Sequence, residues 1–395
     1  MTTIYHALGL HLHQPPGNML DVIRAAEHEA IGIVHAYDRI VRYAHRYKDT
    51  ARLHVGMSGI LLDQLTDQAV ADAYRPYLDI QGMLRGYREA DNIELLGMGH
   101  FHPIFPLIPK EDWPEQLVYG RQRIAEVFGR EPKGFWPPEM AFCMEMIPAI
   151  VEAGYEYIVV DSFHIRPLDV GTNQRPDLFR AYLAEFDGAG IAVVPRNRDV
   201  SNAQESGMDA GWFSNEVLHK VAESPAPQEP RLVCTWSDGE NGGWFRNMSE
   251  NANFWGYFFS PFMDQVRSGG PIQPIRISEY LAKHPPRQKA NVQTGAWNVA
   301  STSGVDFSQW NGTTAQKRAV DEVIDVSRSY WELKDKISGR EVTEKLNRAR
   351  KLILEAETSC FLFWGDSWVP KVYERTKPAR EALEGVKRAI GWRRR

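Results

Sequence analysis

Seven short runs rich in β-branched and aliphatic residues punctuate the first two-thirds of the chain. They are Ile4–Leu12, Arg52–Met57, Ile93–Met98, Gly134–Trp136, Tyr157–Val160, Ile191–Val194 and Leu232–Trp236. Most are separated by longer segments whose apolar residues recur at helical spacing. Asp21–Tyr47 and Glu115–Phe128 are predicted helices, and Met144–Ala153 is a shorter one. Strands that alternate with helices build parallel βα units. Seven such units can close a barrel, one short of the common eightfold form.

The pattern changes after about Gly270. A proline-rich link, Pro271 to Pro274 and on to His284-Pro285-Pro286, leads to Gly295-Ala296-Trp297-Asn298. Helical patterns succeed it at Thr314–Lys336, Val342–Leu354 and Pro378–Ile390, with apolar stripes of the kind that form an ordinary core. The expected organisation is a catalytic barrel over 1–270 and a helical subdomain over 271–395 that contributes to the active-site cleft. No internal repeat or low-complexity tract interrupts it.

The residues just beyond each strand run carry the chemistry. The first run ends in His11 and His13, and the third leads to His100 and His102. The fourth leads to Glu139, the fifth to Asp161 and His164, the sixth to Arg196 and Arg198, the seventh to Asp238 and Glu240. In a barrel the loops at the C-terminal strand ends converge over one pocket. Polar residues gathered there suit a site and would be costly as core.

Composition narrows the chemistry. The chain has 395 residues, 43% hydrophobic and 25% charged, with a formal net charge of −5, so neither nucleic acid nor an anionic membrane is an expected partner. The short basic end Arg393-Arg394-Arg395 reads as solvated. The three cysteines, Cys143, Cys234 and Cys360, are an odd number in apolar settings and read as reduced thiols. The first residues lack a basic region followed by an apolar one, and no run reaches membrane-span length, so a cytoplasmic location is expected. Aromatic residues make up 11% of the chain and include 12 tryptophans, which favours carbohydrate because indole rings stack on the apolar faces of sugars.

Two carboxylates stand out. Glu139 emerges from Gly134-Phe135-Trp136-Pro137-Pro138, where paired prolines stiffen the strand exit and the neighbours are aromatic. A carboxylate in such a setting needs a partner or a function, the plain alternative being a salt bridge to an arginine. Asp238 lies in Ser237-Asp238-Gly239-Glu240-Asn241-Gly242-Gly243-Trp244, where glycines let backbone approach a ligand. The Asp-Gly-Glu-Asn run also resembles a fragment of a calcium loop, without that loop's remaining ligands. Two carboxylates facing a scissile bond are the minimum for glycoside hydrolysis, and spacing does not decide between retention and inversion. The histidines keep a rival open: His11, His13, His100, His102 and Asp161 suit a metal site, as in a metal-dependent deacetylase or mannosidase.

Five short stretches, in order, resemble the defining regions of glycoside hydrolase family 57. That family groups α-amylases, α-glucanotransferases, amylopullulanases and branching enzymes on a (β/α)7 barrel. The stretches are His13-Gln14-Pro15; Asn92-Ile93-Glu94-Leu95-Leu96 with His102-Pro103; Trp136-Pro137-Pro138-Glu139; Ser237-Asp238-Gly239-Glu240-Asn241; and Ala356-Glu357-Thr358-Ser359 with Phe363-Trp364-Gly365-Asp366. The resemblance implies a retaining enzyme acting on α-1,4-glucan or maltooligosaccharide, with Glu139 as nucleophile, Asp238 as general acid/base, and no metal or cofactor. It lowers the deacetylase alternative and leaves a glucanotransferase, a branching enzyme or a non-catalytic glucan-binding protein as further readings. His11, His13, Glu94, His102, Trp136, Asp161, His164 and Glu240 are expected to bind substrate, and Trp244, Trp297 and Trp364 to stack on sugar. Gly295-Ala296-Trp297 with Phe307-Ser308-Gln309-Trp310-Asn311-Gly312 resembles the segment that covers the site in amylase-like members. One departure is Cys360, where amylase-like members carry an aspartate. The Asp-Gly-Glu-Asn run is closer to amylase-like members than to branching enzymes, than which the chain is also shorter.

Overall fold

The computed structural model describes residues 3–168, 176–226, 228–240, 242–297, 299, 306–336 and 339–391. Asn241, Asn298 and Arg393 to Arg395 of the sequence expectations lie outside them. Seven parallel strands close a barrel: β1 (Ile4–Leu12), β2 (Leu53–Met57), β3 (Ile93–Gly97), β4 (Gly134–Phe135), β5 (Tyr157–Asp161), β6 (Ala189–Arg196) and β7 (Arg231–Asp238). Each pairs with the next, β6 meets β7 at Arg196 and Cys234, and β7 returns to β1 with Ile4 opposite Arg231. All seven expected runs are strands, within a few residues at their ends. Tyr182–Phe186 adds an antiparallel strand outside β6.

The barrel is filled, and its filling dictates a glycine. Trp136 and Trp236 are fully buried and stacked with ring centroids 4.7 Å apart. Leu96, Met98, Tyr157, Val159 and Val194 pack around them. A Cβ on Gly9 would sit 2.0 Å from the Trp236 ring, so β1 passes only because that side chain is missing.

The predicted helix over Asp21–Tyr47 is two helices, Asn18–Ala25 and Glu27–Arg46, broken at Ala26 with φ −149°. The second presents Ala30, Ile33, Val34, Tyr37, Ile40 and Ala44, all buried, to the barrel. The first is turned away to the helix Gln68–Tyr74, whose Tyr74 hydroxyl donates to the Met19 carbonyl at 2.9 Å.

The chain does not leave the barrel at residue 270. Ile272–Pro274 pairs in parallel with the start of β1. The helix Ile277–Lys283 buries Ile277 and Tyr280 in the same cluster as Trp236. The His54 ring fixes it there: Nδ1 donates to the Leu8 carbonyl at 3.0 Å, so Nε2 accepts from the Ile277 N–H at 2.8 Å. Ala290–Val292 then pairs antiparallel with Ile165–Pro167. Residues 271–292 thus belong with the barrel, because a proline-rich stretch still offers backbone to sheet edges.

The helical part consists mainly of Thr314–Lys334, Arg340–Ala356 and Pro370–Ala389. The last starts eight residues before the expected Pro378. Pro370 takes the first-turn position that prolines favour, and Pro378 lies inside the helix. Ile104, Ala141 and Ala296 share one core with Trp310, Ala319, Val323 and Phe361, so the bundle is packed onto the barrel's upper loops. Among the described residues no helix is long and apolar enough to cross a membrane. All three cysteines are unpaired.

Candidate active site

Strand geometry brings Glu139 and Asp238 to one opening. Each lies at or just past the C-terminal end of a β-strand, on the same side of the barrel, and both line a pocket of about 360 Å³. His11, His13, Glu240 and Arg246 complete the barrel wall. Cys360, Phe363, Trp364 and Trp368 form the wall supplied by the helical part.

Glu139 is held in an unusual conformation. Its φ is 57° and that of Met140 is 50°, left-handed values that cost a non-glycine residue on the order of 1 kcal/mol or more. The surroundings over-determine them: the Met140 N–H donates to the Pro137 carbonyl at 2.7 Å, and the Trp297 N–H to the Glu139 carbonyl at 2.9 Å. The Trp297 indole donates to Glu139 Oε2 at 2.7 Å. Burial raises the Glu139 carboxyl to about 8, the nearby Asp238 charge adds to the rise, and the Trp297 hydrogen bond opposes it.

A stack of imidazoles lies beside the pair. His102 is parallel to His13 at 3.8 Å and to His11 at 5.0 Å, and His11 stacks over Trp136 at 5.8 Å. Burial holds His11, His13 and His102 below the usual histidine range, so they are neutral near pH 7. His11 Nε2 stands 3.4 Å from Asp238 Oδ1, and His102 Nε2 4.0 Å from Glu139 Oε1. Partners hold one nitrogen of each of two rings in the stack, with His13 Nδ1 2.8 Å from Ser58 Oγ and His102 Nδ1 2.8 Å from Ser359 Oγ, whereas His11 Nδ1 has no hydrogen-bond partner among the described residues. His102 is itself left-handed at φ 59°, and the Ser359 N–H donates to its carbonyl at 3.0 Å. The fifth sequence stretch therefore clamps the second.

Glu240 is buried, and its Oε1 accepts the His13 N–H at 2.9 Å. Burial, reinforced by Asp238, pushes its carboxyl well above the usual range. Gly239 is needed between the two acids, since a Cβ there would meet Leu12 Cδ2 at 2.5 Å. Cys360 lines the pocket, and burial next to Glu139 pushes its thiol up, so it is a neutral group there.

Several expected residues stand elsewhere. Glu94 sits early in β3, buried among the Tyr157 hydroxyl at 2.8 Å, the Ser278 hydroxyl at 2.9 Å and His54; it braces the barrel at the end opposite the carboxylate pair. Trp244 packs against Phe254 and Tyr257 and does not line the pocket. Trp136 has no exposed surface and supports His11 from below. Trp297 is 6% exposed and acts on Glu139 through its N–H, leaving little ring face for sugar. Asp161 is occupied by Arg198, whose Nε lies 2.9 Å from both carboxylate oxygens, and His164 Nε2 lies 3.0 Å from the Ala296 carbonyl. These two position the chain around the pocket. Trp364, 57% exposed at the pocket wall, is the expected stacking residue whose face is open.

Ser58, Arg246 and Ser359 are not singled out by sequence pattern, nor is Glu205, whose carboxylate accepts a hydrogen bond from the Asp238 main chain. Ser58 comes directly after β2, at a strand end like the others, and Ser359 closes the first part of the fifth stretch, so both are legible by position; Arg246 and Glu205 carry no motif.

Among the described residues one group has three potential metal ligands within 4.8 Å of one another: His11, His102 and Glu139. Their fit to an ion is poor. The two rings are within 11° of parallel, so their in-plane lone pairs run side by side, whereas a tetrahedral ion needs them to converge.

A family model for glycosyl hydrolase family 57 matches residues 7–293. Alpha-amylase 1 of Dictyoglomus thermophilum is 26% identical over 306 residues, which is 75% of this chain and 40% of that protein. The 4-alpha-glucanotransferase of Thermococcus litoralis is 26% identical over 330 residues, 82% of this chain and 44% of that protein. The chain spans less than half the length of the curated relatives it matches. Among solved structures, a branching enzyme of that family from Pyrococcus horikoshii superposes with a TM-score of 0.73 at 17% identity, covering 99% of this chain and 95% of that one. An exo-type maltose-forming amylase from Pyrococcus sp. ST04 gives 0.73 at 14% identity, covering 98% and 81%. At such identities these two superpositions speak for the barrel fold alone.

Proposed function

The chain belongs to glycosyl hydrolase family 57, and from that premise we propose that it acts on α-1,4-glucan by double displacement. Glu139 is the nucleophile and Asp238 the general acid/base. One observation carries the reading: the two carboxylates open onto a single pocket and feel each other's charge.

The Glu139 carboxyl, held near 8, retains a proton at neutral pH. Attack requires that carboxyl ionised and Asp238 protonated. The proton on Glu139 is the one Asp238 needs, and the positive charge that grows at the anomeric carbon as the glycosidic bond breaks favours its moving to Asp238, leaving the Glu139 anion beside that carbon. Asp238 donates to the glycosidic oxygen as that bond breaks, and Glu139 oxygen bonds to the anomeric carbon. Asp238 then takes the proton of an incoming hydroxyl, whose oxygen displaces Glu139. Neutral His11, His13 and His102 bind hydroxyls without adding charge.

The incoming hydroxyl belongs to water in hydrolysis and to a second glucan in transfer. The exposed Trp364, with Phe363 and Trp368 along the same wall, offers a surface on which a glucan can lie. The three unpaired thiols suit a reducing compartment, and the proposed location is the cytoplasm.

Incubation with maltooligosaccharides of defined length tests the proposal, with products separated by chromatography. E139Q and D238N are expected to remain folded and to lose product formation by several orders of magnitude; activity retained by either rejects the assignment. Shortened products alone indicate hydrolysis, and paired shorter and longer products indicate transfer.

A further inference from the structure

Arg196 is the last residue of β6, one of the strand-end polar residues noted in the sequence but given no role there, and its side chain has no exposed surface. Burying a guanidinium costs several kcal/mol unless its surroundings repay it. Here the partners are few and specific. Nε donates to the Trp236 carbonyl at 2.7 Å, two residues before Asp238 on β7, and Nη2 donates to Asn202 Oδ1 at 2.9 Å. Nη1 has no hydrogen-bond partner among the described residues and lies 3.9 Å from Asp161. The guanidinium carbon stands 5.3 Å from the ring centroid of Trp297, the indole that donates to Glu139.

We propose that Arg196 is a positioning residue that ties the two carboxylates into one unit, gripping the Asp238 strand through the Trp236 carbonyl and the Trp297 ring by cation–π contact. The inference rests on the reading of Glu139 and Asp238 as the reacting pair. A guanidinium suits this double role because its planar face stacks while its edge donates in fixed directions. The Trp297 N–H reaches Glu139 only if its ring is held at the right angle. Trp297 is flanked by Trp136, edge-on at 5.5 Å, and His11, edge-on at 6.1 Å; Arg196 supplies a charged contact to the same ring.

Loosening Trp297 weakens the one hydrogen bond that lowers the Glu139 carboxyl, so the limb of the pH–rate profile that Glu139 sets moves to higher pH. The charged and titratable groups facing Arg196 are Asp161 from β5, Arg198 after β6, Glu205 at the end of Arg198–Glu205 and Cys234 from β7. Those facing Glu139 are Asp238, His11, His102 and Cys360.

The test compares R196K and R196M with wild type, W297F and the double variant R196K/W297F. Melting temperature, kcat, KM and the pH dependence of kcat/KM on a maltooligosaccharide are measured. R196M is expected to lose about 100-fold in kcat, the scale of a misplaced reacting group, with KM changed little. R196K, which keeps charge but not the planar fork, recovers about tenfold of that loss. Both move the limb that Glu139 sets upward, and the double variant loses less than the two single losses combined, since part of the Arg196 effect runs through the Trp297 contact. R196K and W297F effects that add in full, or a limb that stays in place, overturn the proposal. R196K decides the matter should R196M not fold. E139Q and D238N run alongside: if they stay active the carboxylate assignment itself fails, whatever Arg196 does.

Discussion

Trp297 holds Glu139 twice, with its indole N–H on Oε2 at 2.7 Å and its backbone N–H on the Glu139 carbonyl at 2.9 Å. The residues are 158 positions apart in the chain. One contact fixes the left-handed backbone, and the other tunes the carboxyl. Trp297→Phe removes only the second. A hydrogen bond to a charged group contributes about 1.5–3 kcal/mol, so kcat/KM should fall by roughly 10- to 100-fold at neutral pH. The limb of its pH profile that Glu139 sets should move upward, because the Glu139 anion loses its donor. An unchanged limb would show that the indole does not act on the carboxylate.

Glu139→Gln should stabilise the folded protein while abolishing turnover. The folded carboxyl is raised from 4.5 to about 8, so between those values the folded state binds more protons than the unfolded chain. Stability therefore falls as pH rises through that window. At 1.36 kcal/mol per unit the penalty at pH 8 is at most roughly 5 kcal/mol. Melting temperatures of wild type and E139Q should converge below about pH 4.5 and separate, with E139Q higher, towards pH 8. Parallel melting curves across that range contradict the burial argument.

Trp364→Ala should leave the fold intact, since more than half of the residue faces solvent. If its ring carries a glucan unit, KM for long maltooligosaccharides rises about threefold to tenfold, equivalent to ~1 kcal/mol of stacking, and short substrates are unaffected. Equal effects on short and long substrates would place the ring outside the glucan path.

Arg350→Met should loosen the helical part. Arg350 Nη1 lies 2.6 Å from Asp112 Oδ1 and Nε 3.0 Å from Glu115, across the junction between barrel and bundle. Glu357 joins the same buried group, and burial together with Asp112 pushes its carboxyl well above the usual range. Removing the cation leaves buried carboxylates unpaired, a loss of about 3–5 kcal/mol. Because Ser359 holds His102 from the same segment, activity should fall together with melting temperature. A variant as stable as wild type would mean the cluster is not what seats the bundle.

Seven strands are legible because each is a short apolar run between helical segments, and that period survives in a single sequence. The ends of β1, β3, β4 and β7 are legible as site positions for the same reason, since a closed barrel leaves its loops no other place to converge. Glu94 shows the limit. It lies in a stretch that resembles a family region, yet it sits early in its strand and faces the closed end. Trp244 and Trp297 both read as stacking residues, yet Trp244 packs outside the pocket and Trp297 is buried against Glu139, because the placing of a ring depends on what packs against it.

The barrel, the two carboxylates and the histidines around them can be read along the chain, because element pattern and strand-end position are local properties. How those groups are held depends on long-range packing. Ser359 on His102, Trp297 on Glu139 and Arg196 on Trp297 join segments about 100 to 257 positions apart. Such contacts leave no period in the chain. They arise where the helical part is pressed onto the open end of the barrel, and that packing sets the burial that raises the Glu139 carboxyl.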